Sequence, residues 1–88
     1  MENKVRLIKI IVLTNQQLLL SEIEEVQSEL GEPDCRLVNP FVFKDDKSLE
    51  PFLDGYSKEK TFMISSDKII TLAQPTPTLL EEYQDITK

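Results

Sequence analysis

Four polar residues, Ser65-Ser66-Asp67-Lys68, are the part of this 88-residue chain best equipped to touch a ligand. They separate two apolar runs, Phe62–Ile64 and Ile69–Leu72, and that spacing predicts a strand, a tight corner and a second strand. The serine hydroxyls and the corner's N–H groups offer donors to a phosphate or a base edge, and Lys68 offers a cation. The same four residues also suit a solvated corner that contacts nothing. Arg36 brings a guanidinium able to pair with phosphate or stack on a base, yet the acidic stretch Glu22–Asp34 is an equally ready partner for it. A rigid scaffold on both sides of such a corner is what turns a loop into a binding element.

Catalytic chemistry has little to work with. There is no histidine, and the single cysteine, Cys35, reads as a small buried apolar residue. The acidic pairs Glu24-Glu25, Asp45-Asp46 and Glu81-Glu82 read as solvated faces, because none has a convergent partner for acid–base work or a cation cage. The expectation is a non-enzymatic protein with no cofactor and no metal. One thiol allows no internal disulfide and suits a reducing, cytoplasmic setting. The apolar runs are too short to span a bilayer, and no signal-peptide pattern is present. Sixteen acidic and ten basic residues give a net charge of −6, which argues against non-specific coating of nucleic acid by phosphate neutralisation. The charge is segregated: Glu22–Asp34 carries six acidic residues and no basic one, whereas Lys4, Arg6 and Lys9 cluster near the start.

The elements that would position these groups are short. Val5–Leu13 is β-branched and almost continuously apolar, which predicts a buried strand. Leu18–Leu30 is ambiguous. Leu19, Ile23, Val26 and Leu30 recur at helical spacing, with Thr14 and Gln17 as a capping box and Gly31 and Pro33 as a stop, and the alternative is a strand bulged near Glu24-Glu25. Arg36–Phe43 predicts a strand in which Pro40 must lie at an edge or a bulge, and alternation with Val42 puts at least one of Phe41 and Phe43 in the core. Leu49–Leu53 is a short apolar piece, and Asp54-Gly55 turns the chain. Leu79, Leu80, Tyr83 and Ile86 share one face of a C-terminal amphipathic helix capped by Thr76 or Thr78.

The segment Phe62–Leu72 resembles the second conserved motif of the Sm and Sm-like RNA-binding proteins, and Leu37-Val38-Asn39-Pro40 resembles the part of their first motif where an Asn opens the third strand. With VRLIKI at the start, LVNPFVF in the middle and DKIITLAQPTPTLLEEY at the end, the whole pattern is similar to a group of small Sm-like proteins carried by marine cyanophages. Ser65-Ser66 stands where that family has Arg-Gly, and Asp34 lies five residues before Asn39. The helix comes last in this chain, whereas the family puts it first.

The resemblance implies a mainly β protein: one domain over residues 1–88, a small, strongly bent five-stranded SH3-like barrel with a short C-terminal α-helix. Its strands fall at about 4–13, 18–27, 36–43, 49–65 and 69–75, and its helix at about 77–86. It resolves the 18–30 ambiguity in favour of a strand. It further implies a cyclic homo-oligomer of about five to seven copies, joined through the open edges of the sheet. Such a ring binds single-stranded nucleic acid, RNA in preference to DNA, at loops lining a central pore, and serves nucleic-acid processing. The residues it nominates are Arg36, Asn39, Ser65, Ser66 and Lys68, with Asn39 reading a base edge and Lys68 a phosphate. For a phage-encoded chain the setting is the cytoplasm of an infected bacterium. The second reading is an acidic oligomeric adaptor that binds no nucleic acid and docks a protein partner through its ring face or its C-terminal helix, the face Leu79, Leu80, Tyr83 and Ile86 being the anchor if it is not packed on the barrel.

Overall fold

Six short antiparallel strands and one terminal helix are seen in the computed structural model, which describes residues 7–87. β1 is Ile8–Leu13, β2 Leu18–Glu25, β3 Cys35–Phe43, β4 Leu49–Pro51, β5 Thr61–Ile64 and β6 Ile69–Ala73; the helix α1 is Pro77–Ile86. Residues 4–6 of the first expected strand, and with them Lys4 and Arg6, lie outside the described residues. The sheet is open and runs β4-β3-β2-β1-β6, with β5 beside β4 on the same flank of β3. A single 3-10 turn, Ser66–Lys68, joins β5 to β6.

The helical spacing of Leu18–Leu30 does not prevail. β2 is paired on both sides, by β1 and by β3, and buries Leu19, Leu20 and Ile23 at the centre of the sheet. Two full ladders outweigh the small difference in local propensity. Thr14 and Gln17 then belong to a hairpin corner, in which Leu13 N–H reaches Gln17 O at 2.9 Å and Gln16 takes a positive φ of 70°. Lys44–Ser48 repeats the pattern, with Lys44 N–H on Ser48 O at 2.9 Å and Lys47 at φ 69°. Both are three-residue loops closed by a left-handed residue.

The strand expected over 49–65 is corrected: it is two strands with an excursion between them. Leu53 and Gly55 take φ of 60° and 85°, which turns the chain away from the sheet after Pro51. The charged run Lys58-Glu59-Lys60 brings it back to pair with β3 from Thr61 onward.

Pro40 lies at a bulge. Glu22 pairs with Val38 and Leu20 with Phe41, so Asn39 and Pro40 together oppose Ser21. On its other flank β3 changes partner at the same place, from β5 at Val38 to β4 at Phe41. A residue without an N–H costs nothing there. The extra residue also shifts the alternation, so Cys35, Leu37 and Val42 pack with one cluster although Val42 lies an odd number of positions, five, beyond Leu37.

Two apolar clusters result, one on each face. Ile11, Leu19, Ile23, Cys35 and Leu37 form the first. Ile8, Leu20 and Tyr83 form the second, with Phe41, Phe43, Leu49, Leu79 and Leu80 against it. α1 supplies Tyr83 to that second face. Thr76 caps the helix by accepting from Leu79 N–H at 3.3 Å, and Pro77 occupies the first turn.

Candidate nucleic-acid interface

The corner between β5 and β6 is held from two sides. Ser66 gives its N–H to Asp34 Oδ1 at 2.7 Å and its hydroxyl to Asp34 Oδ2 at 2.8 Å, tying the corner to the β2–β3 loop. Those two bonds, the hydroxyl first, hold the Asp34 carboxyl below the usual aspartate range. Lys68 O accepts Thr14 N–H at 2.9 Å, which ties the corner to the β1–β2 hairpin as well. Ser65 is half-buried, and its carbonyl accepts Lys68 N–H at 3.0 Å. Lys68 itself is exposed, and its ammonium makes no ion pair among the described residues.

Arg36 lies two residues along from Asp34, opposite Glu24 on β2 and Met63 on β5. Its Nη1 donates to Glu24 Oε1 at 2.8 Å, with 43% of the Arg36 side chain exposed. A pair that open to solvent contributes at most about 1 kcal/mol, so a phosphate can compete for the guanidinium at small cost. Ser65 and Ser66 thus share a shallow cleft with Asp34, Lys68 ends the same corner, and Arg36, two positions along β3, is paired with Glu24.

Asn39 does not join them. It sits at the Thr61 end of β5, whereas the corner leaves from the Ile64 end; the separation is about 13 Å at roughly 3.3 Å per residue. Asn39 has φ 54°, a left-handed conformation that asparagine tolerates. Its N–H donates to Lys60 O at 2.6 Å, and its carbonyl accepts from the Tyr83 hydroxyl at 2.9 Å. Asn39 and the Ser65–Lys68 corner thus lie at opposite ends of β5 within one chain.

A cleft of about 330 Å³ opens beside Asn39, lined by Phe52, Phe62, Lys58 and Lys60 among others. The sequence reading passed over Lys58 and Lys60. Their spacing two apart, just after the Gly55 turn and the 89%-exposed Tyr56, was the available signal. Cys35 is buried, and burial, then the charges of Asp34 and Glu25, push its thiol pKa up. Among the described residues no group of His, Cys, Asp and Glu is arranged to hold a metal, and no helix is long and apolar enough to cross a membrane.

The helix face reserved for an adaptor's partner is largely consumed. Tyr83 is fully buried, and Leu79 and Leu80 pack on the second cluster, leaving Ile86 exposed at 48%. What these features define is a small, mainly β protein: an open antiparallel sheet with one short C-terminal helix packed on one of its faces. The chain belongs to a family described as a family of unknown function (DUF6561), whose model matches residues 6–88. No curated protein matches it.

Proposed function

We propose that this protein is a ring-forming member of the Sm-like class that binds single-stranded nucleic acid, RNA in preference to DNA, in nucleic-acid processing. The observation that carries the reading is the pair of open sheet edges. β6 is exposed along Ile70–Ala73, with Ile70 at 60% and Leu72 at 45%, and β5 presents Met63 at 47% on the opposite flank. Unpaired backbone flanked by exposed apolar side chains is a template for strand addition, and one edge joined to the other edge of the next copy closes a cycle. A cleft of about 450 Å³ lies beside β6, lined by Leu7, Ile23, Cys35 and Leu72, and a neighbouring strand would cover it. The strand order, with a 3-10 corner between the last two strands, suits a bent Sm-like barrel.

Within the ring, the Ser65–Lys68 corner and the neighbouring strand β3 form the contact surface, with Lys68 and Arg36 as its cations. Each copy binds weakly, and the ring multiplies the contact, which offsets the net charge of −6. The test is a titration of labelled oligo-U and oligo-A RNA, and of matching DNA, at low and high salt. The reading expects salt-sensitive binding, RNA ahead of DNA, weakened about tenfold or more by Lys68→Ala combined with Arg36→Ala. No binding at low salt would contradict it, and would favour the adaptor.

A further inference from the structure

We propose that Asp54-Gly55 is a self-modification site, at which the Gly55 amide closes on the Asp54 carboxyl and the chain passes in part to an isoaspartyl linkage. The proposal stands apart from the nucleic-acid reading and uses none of its residues. Ring closure runs through the main-chain nitrogen of the residue after an aspartate, so that nitrogen must be unhindered. Of the two glycines in the chain, Gly55 alone follows an aspartate. Every other aspartate precedes a residue whose side chain crowds the attacking nitrogen.

The fold leaves this pair open. Asp54, Gly55 and Tyr56 are all exposed, at the turn that carries the chain away from the sheet after Pro51. Tyr56 N–H and Ser57 N–H close the turn on Leu53 O at 2.9 and 3.1 Å, and Asp54 N–H reaches Pro51 O at 3.1 Å. The Gly55 N–H and the Asp54 carboxyl have no hydrogen bond among the described residues, so neither reacting group must first be released. Apart from its chain neighbours, nothing lies within 4 Å of where a Gly55 side chain would begin, so no other element walls in the ring as it forms. Leu53, at φ 60°, holds a conformation that a residue with a Cβ disfavours, so little opposes a local rearrangement of the turn.

In the first step the Gly55 nitrogen bonds to Asp54 Cγ. The carboxyl hydroxyl leaves with the amide proton as one water, and a cyclic imide remains. In the second step solvent water adds to one imide carbonyl and reopens the ring. Opening on the Cγ side restores aspartate. Opening at the main-chain carbonyl leaves the chain running through Cγ, one carbon longer, with the former main-chain carbonyl as a free carboxylate. Mass is unchanged, and no oxidant, metal or second protein is consumed. The segment is anchored on both sides of the pair, by Phe52 N–H on Pro40 O at 2.9 Å and Asn39 N–H on Lys60 O at 2.6 Å. The added carbon therefore disturbs the bonds onto Leu53 O, while β4 and β5 keep their pairing with β3.

The experiment holds the full chain at neutral pH in heavy-oxygen water for several weeks, then digests it with trypsin in ordinary water. Peptide 48–58 has Asp54 as its sole aspartate and no asparagine, and peptide 61–68 carries Asp67-Lys68 as an internal control. The proposal expects a second, isomeric form of 48–58 that carries the heavy oxygen and accepts methyl groups from an isoaspartyl methyltransferase, with 61–68 unchanged. Its rate lies within about threefold of that of the synthetic 48–58 peptide, because an exposed loop adds little protection. Asp54→Glu, which needs a larger ring, abolishes the new form, and Gly55→Ala slows it. A folded chain that converts about tenfold more slowly than the peptide, or not at all, shows that the turn holds the pair apart and overturns the proposal. An isomeric 48–58 that persists in Asp54→Glu overturns it as well.

Discussion

Asp34 and Ser66 account for the shape of the β5–β6 corner. Two donors from one serine grip both carboxylate oxygens, and each bond is better to a charged acceptor than to a neutral one. Because the folded state lowers the Asp34 pKa, this clamp contributes stability above the unfolded value and loses it as the pH falls through the folded one. The Ser66 amide resonance is expected to titrate with a midpoint below the ordinary aspartate range. A midpoint at the ordinary value would mean that the clamp is absent in solution. The polarity of Ser65–Lys68 and the tight corner were legible from spacing alone, as was an acidic partner for Arg36. The identity of Ser66's partner was not, because Asp34 is 32 positions away and only the pairing of β3 with β5 brings it near.

At the scale of elements, the β3 bulge and α1 depend on each other. The Tyr83 hydroxyl accepts from Glu22 N–H at 3.0 Å and lies 2.9 Å from both the Val38 and Asn39 carbonyls, backbone groups that the bulge withdraws from the β2–β3 ladder. Ser21, fully buried opposite the bulge, places its hydroxyl 3.1 Å from Val38 O as well. Tyr83→Phe keeps the ring, including its edge-to-face contact with Phe41, and leaves these groups short of a partner. The expected cost is about 1–3 kcal/mol in urea unfolding, with the slope unchanged. A loss within experimental error would show that water replaces the hydroxyl. Pro40 announced the bulge because proline removes a ladder donor, and of the two caps the sequence offered for α1, Thr76 and Thr78, Thr76 is the one used. β2 was harder to read, since Leu19, Ile23 and Val26 fit a helix as well as a strand until the neighbours are known. The break after Pro51 was half-visible: Asp54-Gly55 marked a turn, but nothing local showed that nine residues would leave the sheet.

For the molecule as a whole, the open flanks matter most. A chain this small buries a limited core, here two clusters on opposite faces of one sheet, and the ring proposed above would add to it. β6 and β5 offer the two edges, and the apolar residues Ile70, Leu72 and Met63 stand out from them. The direct measurement is the mass in solution by light scattering, for the native chain and for Ile70→Lys with Leu72→Lys, whose charges oppose an added strand. The account predicts a native species of about five to seven times the 10.2 kDa chain, and a smaller folded species for the variant with unchanged circular dichroism. A native chain that stays a folded 10.2 kDa monomer at micromolar concentration contradicts it.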